Sequence, residues 1–153
     1  MLKIITGDLF ESTETFLCHQ CNCVTTRSAH LAKAVFNKYP YSDVYTDRKI
    51  HDVPGTVSLT GTGDQRMVVA LFGQYYPGFS RFPNSRKDGG EARLHYFQEC
   101  LEQLEQLEGD FAFPWRIGCG AAGGDWVRYL KEIKAFSERI DGNITVYRLE
   151  GAK

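Results

Sequence analysis

What this chain lacks most plainly is a long apolar run: no hydrophobic stretch approaches the roughly 20 residues that a membrane-crossing helix needs. The opening Met1-Leu2-Lys3-Ile4-Ile5-Thr6-Gly7 is too short for a secretory leader, so a cytoplasmic or nucleocytoplasmic protein without a membrane partner is expected. An excess of one charge is missing too. Eighteen Lys and Arg against 19 Asp and Glu leave a net charge of −1, which supplies no field for bulk nucleic-acid binding, so any nucleotide must be held by a site. Paired cysteines are absent as a pattern: Cys18, Cys21, Cys23, Cys100 and Cys119 leave one over in any disulfide scheme and suit a reducing compartment. There is no repeat, low-complexity tract or linker, and 153 residues can build one core. A single domain over residues 1–153, monomeric in the absence of any assembly signal, is the expectation.

What is present alternates between strand and helix patterns. Leu2 to Thr6 and Glu14 to Cys21 read as strands, and a helical pattern runs from Ser28 through Leu31 and Val35 until Pro40 stops it. Asp43 to Asp52 is a polar loop. Thr56 to Thr60 alternates as a half-buried strand does, Gly61 to Asp64 turns, and Met67 to Phe72 is a continuous apolar run suited to a sheet covered on both faces. Gly73 to Gly90 reads as a long mobile surface loop. Glu91 to Glu108 is the clearest helix, with Leu94, Phe97, Leu101, Leu104 and Leu107 facing inward. Phe111 to Ile117 suits a buried strand, Trp126 to Ile140 a helix and Asn143 to Leu149 a last strand. The order predicts an α/β fold, a three-layer α/β/α sandwich around a central mixed β-sheet.

The chain is organised around Ile117-Gly118-Cys119-Gly120-Ala121-Ala122-Gly123-Gly124-Asp125-Trp126, set between a strand and a helix. A glycine-rich turn there lets the backbone approach an anion and aims amide N–H groups and the positive helix end at it, which favours diphosphate binding. Gly118, Gly120 and Gly123 also match the dinucleotide fingerprint, but a single remaining strand leaves no room for the half-sheet that fingerprint opens. A tight turn and nothing more is the plainer alternative, although four glycines between 118 and 124 exceed what one turn needs.

Four separated elements resemble the macrodomain family, which binds ADP-ribose: Gly7-Asp8-Leu9-Phe10, His19-Gln20-Cys21-Asn22-Cys23, the loop Thr25 to His30, and Ile117 to Trp126. The resemblance is nearest the branch of the ADP-ribose 1''-phosphate phosphatase and the terminal ADP-ribose glycohydrolase. It implies that Asp8 accepts from the adenine amino group, that the Leu9 amide serves the neighbouring ring nitrogen, and that Asn22 holds the distal ribose. It implies too that Gly118, Cys119, Gly120, Ala121, Ala122 and Gly123, closed by Trp126, cradle the diphosphate. From the residues alone, Asp8 can equally cap a turn and Asn22 can equally end a strand. Where the family commonly has a glycine run, this chain has Arg27-Ser28-Ala29-His30; Arg27 and Ser28 then narrow the pocket or grip a terminal phosphate.

His19 matches the histidine of the phosphatase-type segment and can carry a proton near neutral pH, or it is a satisfied core residue. Asp125 can orient a water or cap the helix. Together with Asn22 these are the candidate catalytic residues. The lysine and loop aspartate of the glycohydrolase branch fall on Gln74 and Ala122, so a covalent lysyl adduct is excluded. Zinc at Cys18, Cys21 and Cys23 is disfavoured because strand neighbours alternate between faces, and Cys119 lacks an identifiable base. The expectation is therefore a hydrolase of an ADP-ribose derivative, acting on its terminal phosphate or on an ADP-ribosyl bond, without metal or cofactor. A non-catalytic ADP-ribose reader is the alternative, and ADP-ribosylated macromolecules are the partners either reading implies.

Overall fold

The computed structural model describes every residue from Met1 to Lys153. Leu2–Thr6 forms β1, Phe16–Asn22 β2, His30–Lys38 α1, Val57–Thr60 β3, Met67–Gln74 β4, Gly90–Leu104 α2, Phe111–Pro114 β5, Trp126–Arg139 α3 and Ile144–Arg148 β6; Leu9–Glu11 and Pro40–Ser42 are single 3-10 turns. The strands make one six-stranded sheet in the order β1-β6-β5-β2-β4-β3. Every neighbouring pair is parallel except β3 with β4, which the turn after Thr60 makes antiparallel. The predicted mixed sheet between helical layers is the fold observed.

The strand period of two sorts the core. Cys18, Val69 and Leu71 point to the face covered by α2 and α3, while Leu17, Cys21, Val68, Ala70 and Phe72 point to the face covered by α1. Helix α2 sets Leu94, Phe97, Leu101 and Leu104 against the first face at three- and four-residue steps, and α3 adds Tyr129, Ile133 and Phe136. Phe111 stacks on Phe16 at 5.2 Å and meets Phe136 edge-on at 5.5 Å. Each such fully buried ring stabilises the fold by roughly 1.5–3 kcal/mol.

Two boundaries matter for the site. Met67 to Phe72 continues as strand to Gln74, which pairs with Asn22 after an irregularity between Cys21 and Asn22. The residues 75–89 form no helix or strand, yet the expectation of a mobile loop gives way to a pinned one, as the buried Asp88 and Arg93 show below. The strand read as Phe111 to Ile117 is shorter, because the chain leaves the sheet at Pro114.

The connection from β2 through α1 leads to β4 on one side, and the connection from β4 through α2 returns to β5 on the other. A crevice opens beyond the carboxyl ends of parallel strands where their order reverses in this way. No helix is long and apolar enough to cross a membrane.

Candidate functional site

A cavity of about 340 Å³ lies at that reversal, in the size range of small-molecule pockets. Its floor is Gln20 and Asn22 from β2 with Gln74 from β4; one wall is the turn from Arg116 to Ala122, and the other is Arg27 with the start of α1.

The first wall is a row of backbone donors. Gly118 and Gly123 adopt positive φ, at 75° and 80°, and the turn closes on itself through Gly123 N–H to the Gly120 carbonyl and Gly124 N–H to the Gly118 carbonyl. The amides of Gly118, Gly120, Ala121 and Ala122 have no acceptor in the chain. Gly120 and Ala121 are exposed and Gly118 and Ala122 half-buried, so these amides are open to water or to a ligand, and a cluster of free donors on residues that line one cavity offers an anion its partners.

The opposite wall repeats the device. Helix α1 begins without a side-chain cap at Ala29, and the amides of His30, Leu31 and Ala32 are likewise unpaired. An uncapped helix start attracts negative charge through its free amides and its dipole. Helix α3 differs: Asp125 caps it, its carboxylate accepting from Val127 N–H at 3.1 Å. The expectation that α3 presents its positive end to the cradle is thereby corrected, since a carboxylate already occupies that end.

The charges follow the same sign. Arg27 and Arg116 line the cavity, neither guanidinium has a hydrogen-bond or ion-pair partner in the chain, and no carboxylate is in the lining. Arg116 and His30 both hold left-handed backbone, φ 61° and 53°. Each such non-glycine residue costs of order 1–3 kcal/mol and is found at ligand clamps and similar functional places.

The candidate residues thus divide. Asn22, Arg27, Gly118, Cys119, Gly120, Ala121 and Ala122 come together around the cavity. Asn22 is largely engaged in shaping its own loop: its Oδ1 accepts from the Val24 and Thr25 amides at 3.0 and 2.9 Å and its Nδ2 donates to Thr25 Oγ1, leaving one N–H hydrogen for a ligand. Cys119 is buried and its thiol pushed up to about 12 by that burial, so it is no nucleophile at neutral pH.

Ser28 and Trp126 stand outside the lining, and Trp126 packs edge-on against Trp115 at 5.0 Å. Gly123 is a correction: a Cβ there would point at Phe79, 2.1 Å from its ring, and not into the cavity. Asp8 is the cap of the 3-10 turn, with Phe10 N–H donating to its Oδ1 at 2.9 Å; its second oxygen and the Leu9 amide remain unpaired, and neither residue is in the cavity lining.

His19 is wholly buried, 0% exposed, with Phe36 edge-on at 5.5 Å and Cys21 beside it. Burial lowers its pKa to about 4, the behaviour of a neutral core imidazole. The structure therefore brings neither His19 nor Asp125 to the cavity.

Sequence reasoning missed the residues that anchor the glycine turn. Arg93, 3% exposed, donates to Asp88 at 3.0 and 2.7 Å, to the Tyr76 carbonyl at 3.1 Å, to Gly78 at 2.6 Å and to Ala122 at 3.2 Å. Asp88 in turn accepts from the Tyr75 and Tyr76 amides. One guanidinium ties the segment after β4 to the glycine turn. The available signal was an arginine beside Leu94 on the inward stripe of α2, where a charge needs a reason.

Fold and site together define an α/β/α sandwich with a donor-lined cleft at the carboxyl ends of its parallel strands. No family model matches the chain, and no curated protein does. Solved structures do. The macrodomain of Thermus aquaticus DarG superposes with a TM-score of 0.74 at 19% identity, covering 97% of this chain and 98% of that one. A macrodomain protein from Streptomyces coelicolor gives 0.67 at 21%, covering 97% and 99%. The Trypanosoma brucei macrodomain in complex with ADP gives 0.61 at 12%, covering 95% and 62%. The chain has the macrodomain fold.

Proposed function

We propose that the cleft binds ADP-ribose. The observation that carries this is the pair of donor arrays facing one cavity: four unpaired amides of the Gly118 to Ala122 turn and the uncapped start of α1. A diphosphate is acceptor-only and doubly charged, which suits two such walls with Arg27 and Arg116 near them. Asp8 adds a free carboxylate oxygen and Leu9 a free amide, the acceptor and donor that an adenine edge requires. The macrodomain neighbour whose structure holds ADP supports the same ligand class. In calorimetry ADP-ribose should bind one to one, with AMP at least about tenfold weaker, since AMP lacks the second phosphate and the distal sugar. Equal affinities would refute the assignment.

A second reading, hydrolysis of an ADP-ribose derivative at its terminal phosphate or ADP-ribosyl bond, rests on His30. It is the one imidazole in the lining, exposed, and held in left-handed backbone at the mouth of α1. In this reading His30 protonates the leaving oxygen, Asn22 holds the ribose and a water attacks, because Gln74 cannot form the adduct a lysine forms. His30→Gln should then lower turnover of ADP-ribose 1''-phosphate by about 10²-fold with ADP-ribose affinity nearly intact. A parent protein that binds ADP-ribose but releases no product from phosphate, ester or base-linked substrates is instead a reader.

A further inference from the structure

The loop from Asp43 to Asp52, polar in sequence and outside the sheet, delivers two side chains to the end of β2. Asp43 turns the chain by accepting from the Tyr45 and Thr46 amides at 2.9 and 3.1 Å, and Arg48 N–H closes a second turn on the Tyr45 carbonyl at 3.1 Å. Tyr45 and Arg48 thereby converge on one residue. The Asn22 N–H donates to the Tyr45 hydroxyl at 2.7 Å, and the Asn22 carbonyl accepts from Arg48 Nη2 at 3.0 Å. This happens where the strand register slips, between Cys21 and Asn22.

Burying Arg48 in this way is unfavourable in itself. Its side chain is 4% exposed, its guanidinium lies 4.8 Å over the Tyr45 ring, and its Nε and Nη1 are buried without an acceptor in the chain. Its carboxylate partner, Asp52 at 3.1 Å, reaches Nη2 alone. A buried cation so incompletely paired is weak evidence for stability, because its desolvation can outweigh the attraction, and unmet buried donors call for another reason. That reason lies one residue away. Asn22 lines the cavity, its Oδ1 is committed to the Val24 and Thr25 amides, and one Nδ2 hydrogen remains for a ligand. A single free hydrogen contributes to binding only when it is aimed, and its aim depends on the backbone that carries it.

Resting on the ADP-ribose reading above, we propose that Arg48, together with Tyr45, is a positioning residue that fixes the backbone of Asn22 and so aims the Asn22 amide at the bound ligand. Arg48 is not in the cavity lining and acts only through Asn22. With Tyr45 holding the N–H and Arg48 the carbonyl, Asn22 cannot turn its side chain away by rotating its backbone.

The test is a double-variant cycle read in affinity. Calorimetry gives the dissociation constants of ADP-ribose and of AMP, which lacks the second phosphate and the distal sugar, for the parent, Arg48→Met, Asn22→Ala and the double variant, each checked for folding by circular dichroism. Arg48→Met should weaken ADP-ribose by about tenfold and AMP by less than about twofold. In the Asn22→Ala background the same change should cost nothing further, because both variants remove one contact. Should Arg48→Met not fold, Tyr45→Phe, which loses only the hydroxyl that Asn22 uses, takes its place in the same cycle with the same expectation. Unaltered ADP-ribose affinity, equal weakening of both ligands, or additive losses in the double variant overturns the positioning role while leaving ADP-ribose binding standing. A parent that binds neither ligand overturns the ADP-ribose reading itself.

Discussion

Replacing Arg93 by Met should cost this protein a large part of its stability and loosen its cleft at once. The side chain is 3% exposed and makes two charge-assisted bonds to Asp88, at 3.0 and 2.7 Å, besides three to the carbonyls of Tyr76, Gly78 and Ala122. Methionine fills much of the volume but leaves the Asp88 carboxylate buried with only the Tyr75 and Tyr76 amides to compensate it. Removing one partner of a buried pair costs about 3–5 kcal/mol, a large fraction of the roughly 5–15 kcal/mol that holds a domain together. For a chain of this length that corresponds to a fall in Tm of about 6–20 °C. Urea titrations of the parent, Arg93→Met and Arg93→Met with Asp88→Asn separate the causes, because the double variant removes the stranded charge and should recover at least about 1 kcal/mol. ADP-ribose affinity should fall about tenfold in the single variant, since Ala122 and Gly78 lose their common anchor. An Arg93→Met protein within about 1 kcal/mol of the parent, or one no less stable than the double variant, would refute the claim that this ion pair anchors the glycine turn.

Asp8→Asn should keep the 3-10 cap but set an amide donor against the adenine amine, lowering ADP-ribose affinity by about 1–3 kcal/mol with little loss of stability. Unaltered affinity would make Asp8 a cap only. The His19 imidazole, held down to about 4 in the fold against an ordinary value of 6.5, binds a proton more readily in the unfolded chain. Its contribution is therefore full above about pH 6.5 and lost as pH falls toward 4, about 3 kcal/mol in all. His19→Phe should flatten that acid limb in urea midpoints measured between pH 4 and pH 7; a limb of unchanged slope contradicts the assignment. Cys119, with its thiol pushed up to about 12, should resist iodoacetamide in the native protein at pH 7.5 and react only on unfolding, as read by mass spectrometry.

The sequence made the layers legible because hydrophobic period speaks directly for burial: Leu94, Phe97, Leu101 and Leu104 on α2 and the run through β4 lie where their spacing puts them. The glycine turn between β5 and α3 was legible because glycines clustered between a strand and a helix are themselves a local signal. Its reach was not. Gly123 was read with Gly118 because both are glycines in one motif, yet only coordinates reveal that its missing Cβ makes room for Phe79. His19 and Asp125 looked reactive by residue type, and burial in one case and a cap in the other are tertiary facts that type does not encode.

The pairs that build the floor and anchor the glycine turn, Gln20 with Gln74 and Arg93 with Ala122, are separated by 54 and 29 positions, so no local pattern announces them. The local traces were a glutamine in each of two largely buried strands and an arginine beside Leu94 on α2.

The most direct test of the central claim is an amide NMR titration with ADP-ribose. Opposed donor walls predict that the resonances of Gly118, Gly120, Ala121 and Ala122 shift together with those of His30, Leu31 and Ala32, saturating at one equivalent, while AMP leaves the α1 set largely unmoved. Shifts confined to one wall, or centred elsewhere on the sheet, would contradict it.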